Sequence, residues 1–181
     1  MTMNLPNKLT IFRVILIPFF VVCLLMPQIP YNNIIACVIF CVASFTDFLD
    51  GYLARRDGLV TNFGKFMDPL ADKLLVGAAL ICLIEIGQLP AWVVVIIISR
   101  EFIISGFRLI ASDNGVVIAA SYWGKFKTVS QMIMVIVLIL NIQNALFIML
   151  GNILIWVSVV LTVVSLVDYI IKNKDVLKDT K

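Results

Sequence analysis

The chain has 181 residues, of which 62% are apolar and 14% charged, with a net charge of +3. A soluble domain carries about 45–50% apolar and 25% charged residues, and one this small cannot bury so large an apolar share, so the composition is that of an integral membrane protein. The same figures exclude disorder, the sparse positive charge excludes a large nucleic-acid surface, and the absence of any histidine excludes histidine-based triads, proton relays and zinc sites.

The expected fold is all-α: a polytopic membrane protein of six transmembrane helices, each needing about 20 mostly apolar residues, forming one domain over residues 1–181. The first span is Leu9–Met26. One Lys and one Arg stand near its start, as in a signal peptide, but no small-residue cleavage site follows and more spans do, so it reads as a retained helix. The next spans are Asn33–Ala54, Pro69–Ile86 and Ala91–Ala111, the last with Arg100 inside it. The stretch from Lys127 to Lys172 is about twice the length that one span needs. Asn141, Gln143, Asn144, Gly151 and Asn152 offer turn chemistry there, which divides it into Thr128–Asn144 and Gly151–Ile171. Cys23, Cys37, Cys41 and Cys82 all sit in apolar runs and read as small packing residues, not a disulfide framework.

Basic residues set the orientation. Lys8, Arg13, Arg55, Arg56, Lys65, Lys73, Arg108, Lys125, Lys127, Lys172, Lys174, Lys178 and Lys181 all fall on one side of a six-span path. The positive-inside rule makes that side, with both termini, cytoplasmic. The expected location is the cell membrane, with any site built from these loops facing the cytoplasm.

Four carboxylates occur within 26 residues, at or near the cytoplasmic ends of two consecutive spans. Asp47 and Asp50 are three apart and Asp68 and Asp72 four apart, so on helices each pair shares a face. Two antiparallel helices can then aim four acids at one volume. Acids in a bilayer are costly and repel one another when clustered. Two Mg²⁺ or Mn²⁺ would balance the four charges, and carboxylate oxygens are their preferred ligands. Each acid also has a plainer reading. Asp68 could be a helix N-cap before Pro69, Asp50-Gly51 a turn, and Asp72 the partner of a nearby base. Gly51 lets a large ligand approach the backbone, and Arg55 could hold a phosphate through its fork of donors. Asp168, near the end of the last span, is expected to pair with a Lys.

The pattern Asp47-x-x-Asp50-Gly51-x-x-Ala54-Arg55-x8-Gly64-x3-Asp68-x3-Asp72 resembles the signature of the CDP-alcohol phosphotransferase family, with every fixed position filled. The resemblance implies that Asp47, Asp50, Asp68 and Asp72 hold two divalent cations, Mg²⁺ or Mn²⁺, and that Asp72 is also the general base. It places the cytidine nucleotide against Gly51, Arg55, Gly64 and the segment near Thr61. Pro6-Asn7-x-Leu9-Thr10-x-x-Arg13 is similar to the family's N-terminal element, which adds Asn7 and Thr10 to that set. A homodimer is implied as well.

Members of the family differ in their acceptor alcohol. Arg100 and Arg108 are two turns apart and fall on nearly one helix face, and Lys125 and Lys127 follow in Gly124-Lys125-Phe126-Lys127-Thr128. These four cations suggest a pocket for a phosphate monoester, although Arg100 could instead pair with a motif acid. Glu101 is adjacent in sequence and is expected not to share Arg100's face. Arg100-Glu101-Phe102 with the later Gly-Lys run is similar to the members that use glycerol 3-phosphate. The implied reaction joins CDP-diacylglycerol and glycerol 3-phosphate, releasing CMP. The alternatives are inositol phosphate, serine or phosphatidylglycerol as acceptor, and, in another class, a channel or transporter for divalent cations. A channel would continue its polar residues through the bilayer, whereas the outer halves of these spans are almost entirely apolar.

Overall fold

A computed structural model describes residues 5–56, 62–113 and 121–174. Six helices follow in order: α1 (Leu5–Leu25), α2 (Asn32–Arg56), α3 (Asn62–Glu85), α4 (Ala91–Asp113), α5 (Tyr122–Leu140) and α6 (Ala145–Lys172). No strand occurs among the described residues. In hydrocarbon the backbone must satisfy its own hydrogen bonds, and helices do so within one segment. Large apolar side chains lie exposed along the helices, among them Phe19, Val95, Leu109, Leu146 and Ile171. This is the surface of a membrane protein.

By length and composition α1, α5 and α6 can each cross a bilayer. The remaining three helices are interrupted by charge: α2 and α3 carry the acidic motif, and α4 carries Arg100, Glu101 and Arg108 within its first 18 residues.

The helices group into two compact units, one of Met1–Gln88 with Leu138–Asn141 and one of Leu89–Val137 with Ile142–Lys181. In the first, α1 packs against both α2 and α3. It runs antiparallel to α2, because Arg13 meets Ala43, Phe20 meets Phe40 and Leu24 meets Asn32. The Phe20 and Phe40 ring centroids are 5.9 Å apart. Ala36, Ala43, Ala71 and Ala79 are fully buried, and such small side chains let membrane helices approach closely.

In the second unit α4 and α6 run parallel, since Trp92 meets Trp156, Arg100 meets Ser165 and Phe107 meets Tyr169. Helix α5 is antiparallel to them: Gly124 lies beside Arg100, and Ser130 meets Ser158 at 3.1 Å. Buried positions on α6 recur at Gly151, Ile155, Ser158, Thr162, Ser165 and Tyr169, alternating steps of four and three that keep one stripe on its neighbours.

The spans expected at Asn33–Ala54, Ala91–Ala111 and Gly151–Ile171 lie within observed helices, and those expected at Leu9–Met26 and Pro69–Ile86 overrun theirs by one residue. The division of the 127–172 stretch differs in detail. The turn uses Asn141, with φ of 44°, and Asn144, whose side chain caps α6 by accepting from the Leu146 N–H at 2.9 Å. Gly151 and Asn152 are inside α6, so the fifth helix ends sooner and the sixth begins sooner than turn chemistry alone suggested. Helix α3 begins at Asn62, which places Asp68 and Pro69 inside it and removes the N-cap reading of Asp68. Likewise α2 continues through Asp50-Gly51 to Arg56, so that pair forms no turn. The four cysteines are free.

Gly87 closes α3. Its φ is +72°, its N–H bonds the Ile84 carbonyl at 2.9 Å, and the Gln88 N–H bonds the Leu83 carbonyl at 2.9 Å. This is a Schellman turn, whose left-handed residue favours glycine. A Cβ at Gly87 would meet nothing within 4 Å, so the cost of a side chain is conformational only. Gly87→Ala is expected to destabilise by about 1 kcal/mol and to lower the melting temperature in detergent by about 2–4 °C. Gly87→Asn, which tolerates the left-handed region, should lose clearly less in the same melting experiment.

Candidate active site

The acidic motif belongs to the first unit. Asp47 and Asp50 lie in α2, Asp68 and Asp72 in α3, and every one of the four is on helical backbone. At spacings of three and four, helical geometry puts each pair on one face. Of the side chains in this motif, that of Asp72 is described. It is half-buried and engaged by a neighbour, as is Lys73. Asp47, Asp50, Gly51, Arg55, Gly64 and Asp68 have helical backbone but lie outside the described side chains, and Thr61 lies outside the described residues altogether.

Helix α1 fixes the approach to this motif. Its buried face carries Asn7, Thr10 and Arg13 at steps of three. Arg13 is fully buried and donates from Nε to the Ala43 carbonyl at 3.2 Å. The same carbonyl accepts from Thr46 Oγ1 at 2.7 Å. Thr46 immediately precedes Asp47, so α1 is bonded to α2 one turn ahead of the first acid. Arg13 is thus tied into the framework that carries the motif.

The donor set suits a hard divalent cation, since it is all carboxylate oxygen on two helical segments. Elsewhere among the described residues no group of three or more acidic or cysteine side chains gathers.

The basic residues expected to bind a phosphate belong to the second unit, and they divide into two kinds. Arg100 and Lys127 are buried, with exposures of 8% and 2%. Both donate to one oxygen, Glu101 Oε1: Arg100 from Nη1 at 3.1 Å, and Lys127 from Nζ. Arg100 Nη2 donates to Ser165 Oγ on α6. Gly124 makes room for this, because a Cβ there would stand 3.3 Å from Arg100 Nη2. Arg100 therefore pairs with Glu101. Adjacent positions on a helix point about 100° apart, but two long side chains span that angle, and Lys127 arrives from α5 to share the carboxylate.

Arg108 and Lys125 are exposed. Neither has an acid partner among the described residues. Each lies over an aromatic ring instead: the Arg108 Cζ is 6.0 Å from the centroid of Tyr169, and Lys125 Nζ is 5.5 Å from that of Tyr122. Asp168 pairs with Lys172 at 2.6 Å, as expected from its position. Sequence reasoning did not single out Ser165 or Tyr169. Nothing in their local sequence marks them; α6 presents them because both fall on its buried stripe.

Comparison with known proteins agrees with the motif. Residues 3–164 match the family described as CDP-alcohol phosphatidyltransferase. A Bacillus subtilis (strain 168) protein named CDP-diacylglycerol--glycerol-3-phosphate 3-phosphatidyltransferase is 46% identical, over 97% of this chain and 97% of its own. A Haemophilus influenzae protein of the same name is 43% identical, over 99% and 98%. One from Rickettsia bellii is 37% identical, over 92% and 93%.

Removing the shared carboxylate should expose the cost of the two buried cations. Breaking a buried ion pair by deleting one partner costs about 3–5 kcal/mol. Glu101→Ala is expected at the lower end of that range, because the carboxylate is itself 28% exposed. Thermal melting of the detergent-solubilised protein, followed by tryptophan fluorescence, reads the loss. A melting temperature equal to the parent's would mean that other groups compensate Arg100 and Lys127.

Proposed function

Because the chain belongs to the CDP-alcohol phosphatidyltransferase family, we propose that it transfers the phosphatidyl group of CDP-diacylglycerol to glycerol 3-phosphate, giving phosphatidylglycerol phosphate and CMP. The observation that carries this reading is identity of 43–46% over nearly the whole length of two relatives named for that reaction. The filled acidic motif on α2 and α3 supports it from the residues upward.

Asp47, Asp50, Asp68 and Asp72 are the residues that would hold two divalent cations, Mg²⁺ or Mn²⁺. Bound there, the cations would neutralise charge on the pyrophosphate oxygens. The nucleotide lies against Gly51, Arg55, Thr61 and Gly64, with Asn7 and Thr10 of α1 beside them. Asp72 takes the proton of the acceptor hydroxyl, whose oxygen attacks the phosphorus on the lipid side, and CMP departs. A phosphate monoester needs cationic partners, and Arg108, Lys125, Arg100 and Lys127 are assigned to it. Arg108 and Lys125 make direct contact. Arg100 and Lys127, already bonded to Glu101, contribute positive potential. All six helices cross the cell membrane in this reading, both termini are cytoplasmic, and the site opens to the cytoplasm, where the nucleotide product is released. The functional unit is a homodimer.

Release of CMP from CDP-diacylglycerol, measured with a panel of acceptors, is expected with glycerol 3-phosphate and not with serine or inositol phosphate. EDTA should stop turnover and Mg²⁺ or Mn²⁺ restore it. Asp47→Ala and Asp68→Ala should abolish turnover in protein that still purifies folded. Arg108→Ala should raise the acceptor KM about ten- to a hundredfold, the worth of one charge-assisted hydrogen bond, with far less change in the KM for CDP-diacylglycerol. Full turnover without metal would remove the cations from the reading.

Orientation has its own test. In a background without native cysteines, single cysteines at Asn32, Gln88 and Asn144 should react with an impermeant thiol reagent added to intact cells. Cysteines at Asp57, Asn114 and Lys178 should not. Labelling at Asp57 from outside would overturn the cytoplasmic site.

A further inference from the structure

Arg108 projects from the last turns of α4, and its guanidinium is uncommitted among the described residues: no carboxylate pairs with it and no hydrogen bond holds it. A long exposed side chain in that situation ordinarily samples many rotamers, and ordering it on binding costs affinity. Here one group limits it. The Tyr169 ring lies beneath the guanidinium, 6.0 Å from Cζ to centroid.

That ring is itself closely packed. Tyr169 is 2% exposed. Phe107 packs edge-on against it, with centroids 6.2 Å apart and planes at 86°. The backbone beneath is fixed as well, because Asn173 bonds the Tyr169 carbonyl twice, from its own N–H at 3.1 Å and from Nδ2 at 2.8 Å. The Tyr169 hydroxyl, by contrast, is buried and makes no hydrogen bond among the described residues. What the residue contributes is therefore its ring face. A cation–ring contact uses none of the five guanidinium N–H donors, so the fork stays open for a phosphate.

We propose that Tyr169 is a positioning residue for the acceptor's phosphate, its ring holding the Arg108 guanidinium ready to receive it. The proposal rests on the reading that Arg108 binds the phosphate of glycerol 3-phosphate. Tyr169 lies beyond the segment that matches the family, which ends at residue 164, and the motif residues do not account for it. Lys125 over Tyr122 is the same device in a more exposed form.

Steady-state kinetics in detergent micelles, varying each substrate in turn, tests it with four variants of the full chain. Tyr169→Leu removes the ring and should raise the acceptor KM about two- to fivefold, the range for a cation–ring contact at an exposed site. The KM for CDP-diacylglycerol and kcat should stay at the parent values. Tyr169→Phe keeps the ring and should rescue the acceptor KM. In an Arg108→Ala background, Tyr169→Leu should add nothing further, because the two side chains act as one unit. If Tyr169→Leu does not purify folded, Tyr169→Met, of similar volume and without a ring, takes its place. An equal rise with Tyr169→Phe would transfer the role to the hydroxyl and overturn the proposal. So would a full additional rise in the Arg108→Ala background, or a joint loss of kcat and both KM values. Should Arg108→Ala weaken the acceptor while Tyr169→Leu does not, Tyr169 fails and the acceptor reading stands. Should Arg108→Ala itself leave the acceptor KM unchanged, the acceptor reading fails and takes the proposal with it.

Discussion

One carboxylate oxygen of Glu101 receives both Arg100 and Lys127, and the register of α4, α5 and α6 turns on it. Each cation, buried alone, would carry a penalty of several kcal/mol. Sharing an acid fixes where α5 crosses α4, and the remaining arm of Arg100 fixes where α6 passes, through Ser165. From there the stripe on α6 runs toward its N-terminus through Thr162 and Ser158, whose hydroxyls are satisfied by the α6 backbone and by Ser130. Beyond them it ends in Ile155 and Gly151. The two buried cations of this unit thus lie together at one end of the helices, and neutral hydroxyls continue the stripe to the middle of α6.

The two sets of candidate site residues follow opposite electrostatic logic. A pyrophosphate cannot be bound directly by four carboxylates, because like charges repel, so an acidic motif makes sense only with cations between protein and ligand. A phosphate monoester needs no such intermediary when arginine and lysine are present. The first unit carries the acidic set and the second the basic set. In the proposed reaction the acidic set is assigned to the nucleotide donor and the basic set to the acceptor phosphate.

Much of this was legible in the sequence. Hydrophobic run length located all six helices. The acid spacings gave shared faces because the residues at 47–50 and 68–72 are indeed helical. What escaped were features that depend on side-chain reach or on helix ends. Adjacent positions were expected to keep Arg100 and Glu101 apart, yet both chains are long enough to meet, and a third residue 26 positions away joins them. Five turn-forming residues between the last two helices were all plausible, and Asn144 decided the matter by capping. The helical start of α3 at Asn62 was masked by Pro69, which reads as a boundary but is tolerated inside. Tyr169 left no trace in the pattern, since one more aromatic residue in an apolar helix carries no signal until its neighbours are known.

Gly124 gives the arrangement a narrow tolerance. In most helix interiors a glycine is a modest defect, and replacing it with alanine gains about 1 kcal/mol of helix propensity. At this position the added methyl would sit 3.3 Å from the end of Arg100, and the guanidinium would have to retreat. Its two hydrogen bonds go to Glu101 on α4 and Ser165 on α6, so a shift of a few tenths of an ångström is shared between them. The usual stabilising substitution would here exchange backbone entropy for a misaligned cation. A single hydrogen in place of a methyl group on α5 thereby leaves the space that the end of Arg100 occupies on its way to Ser165.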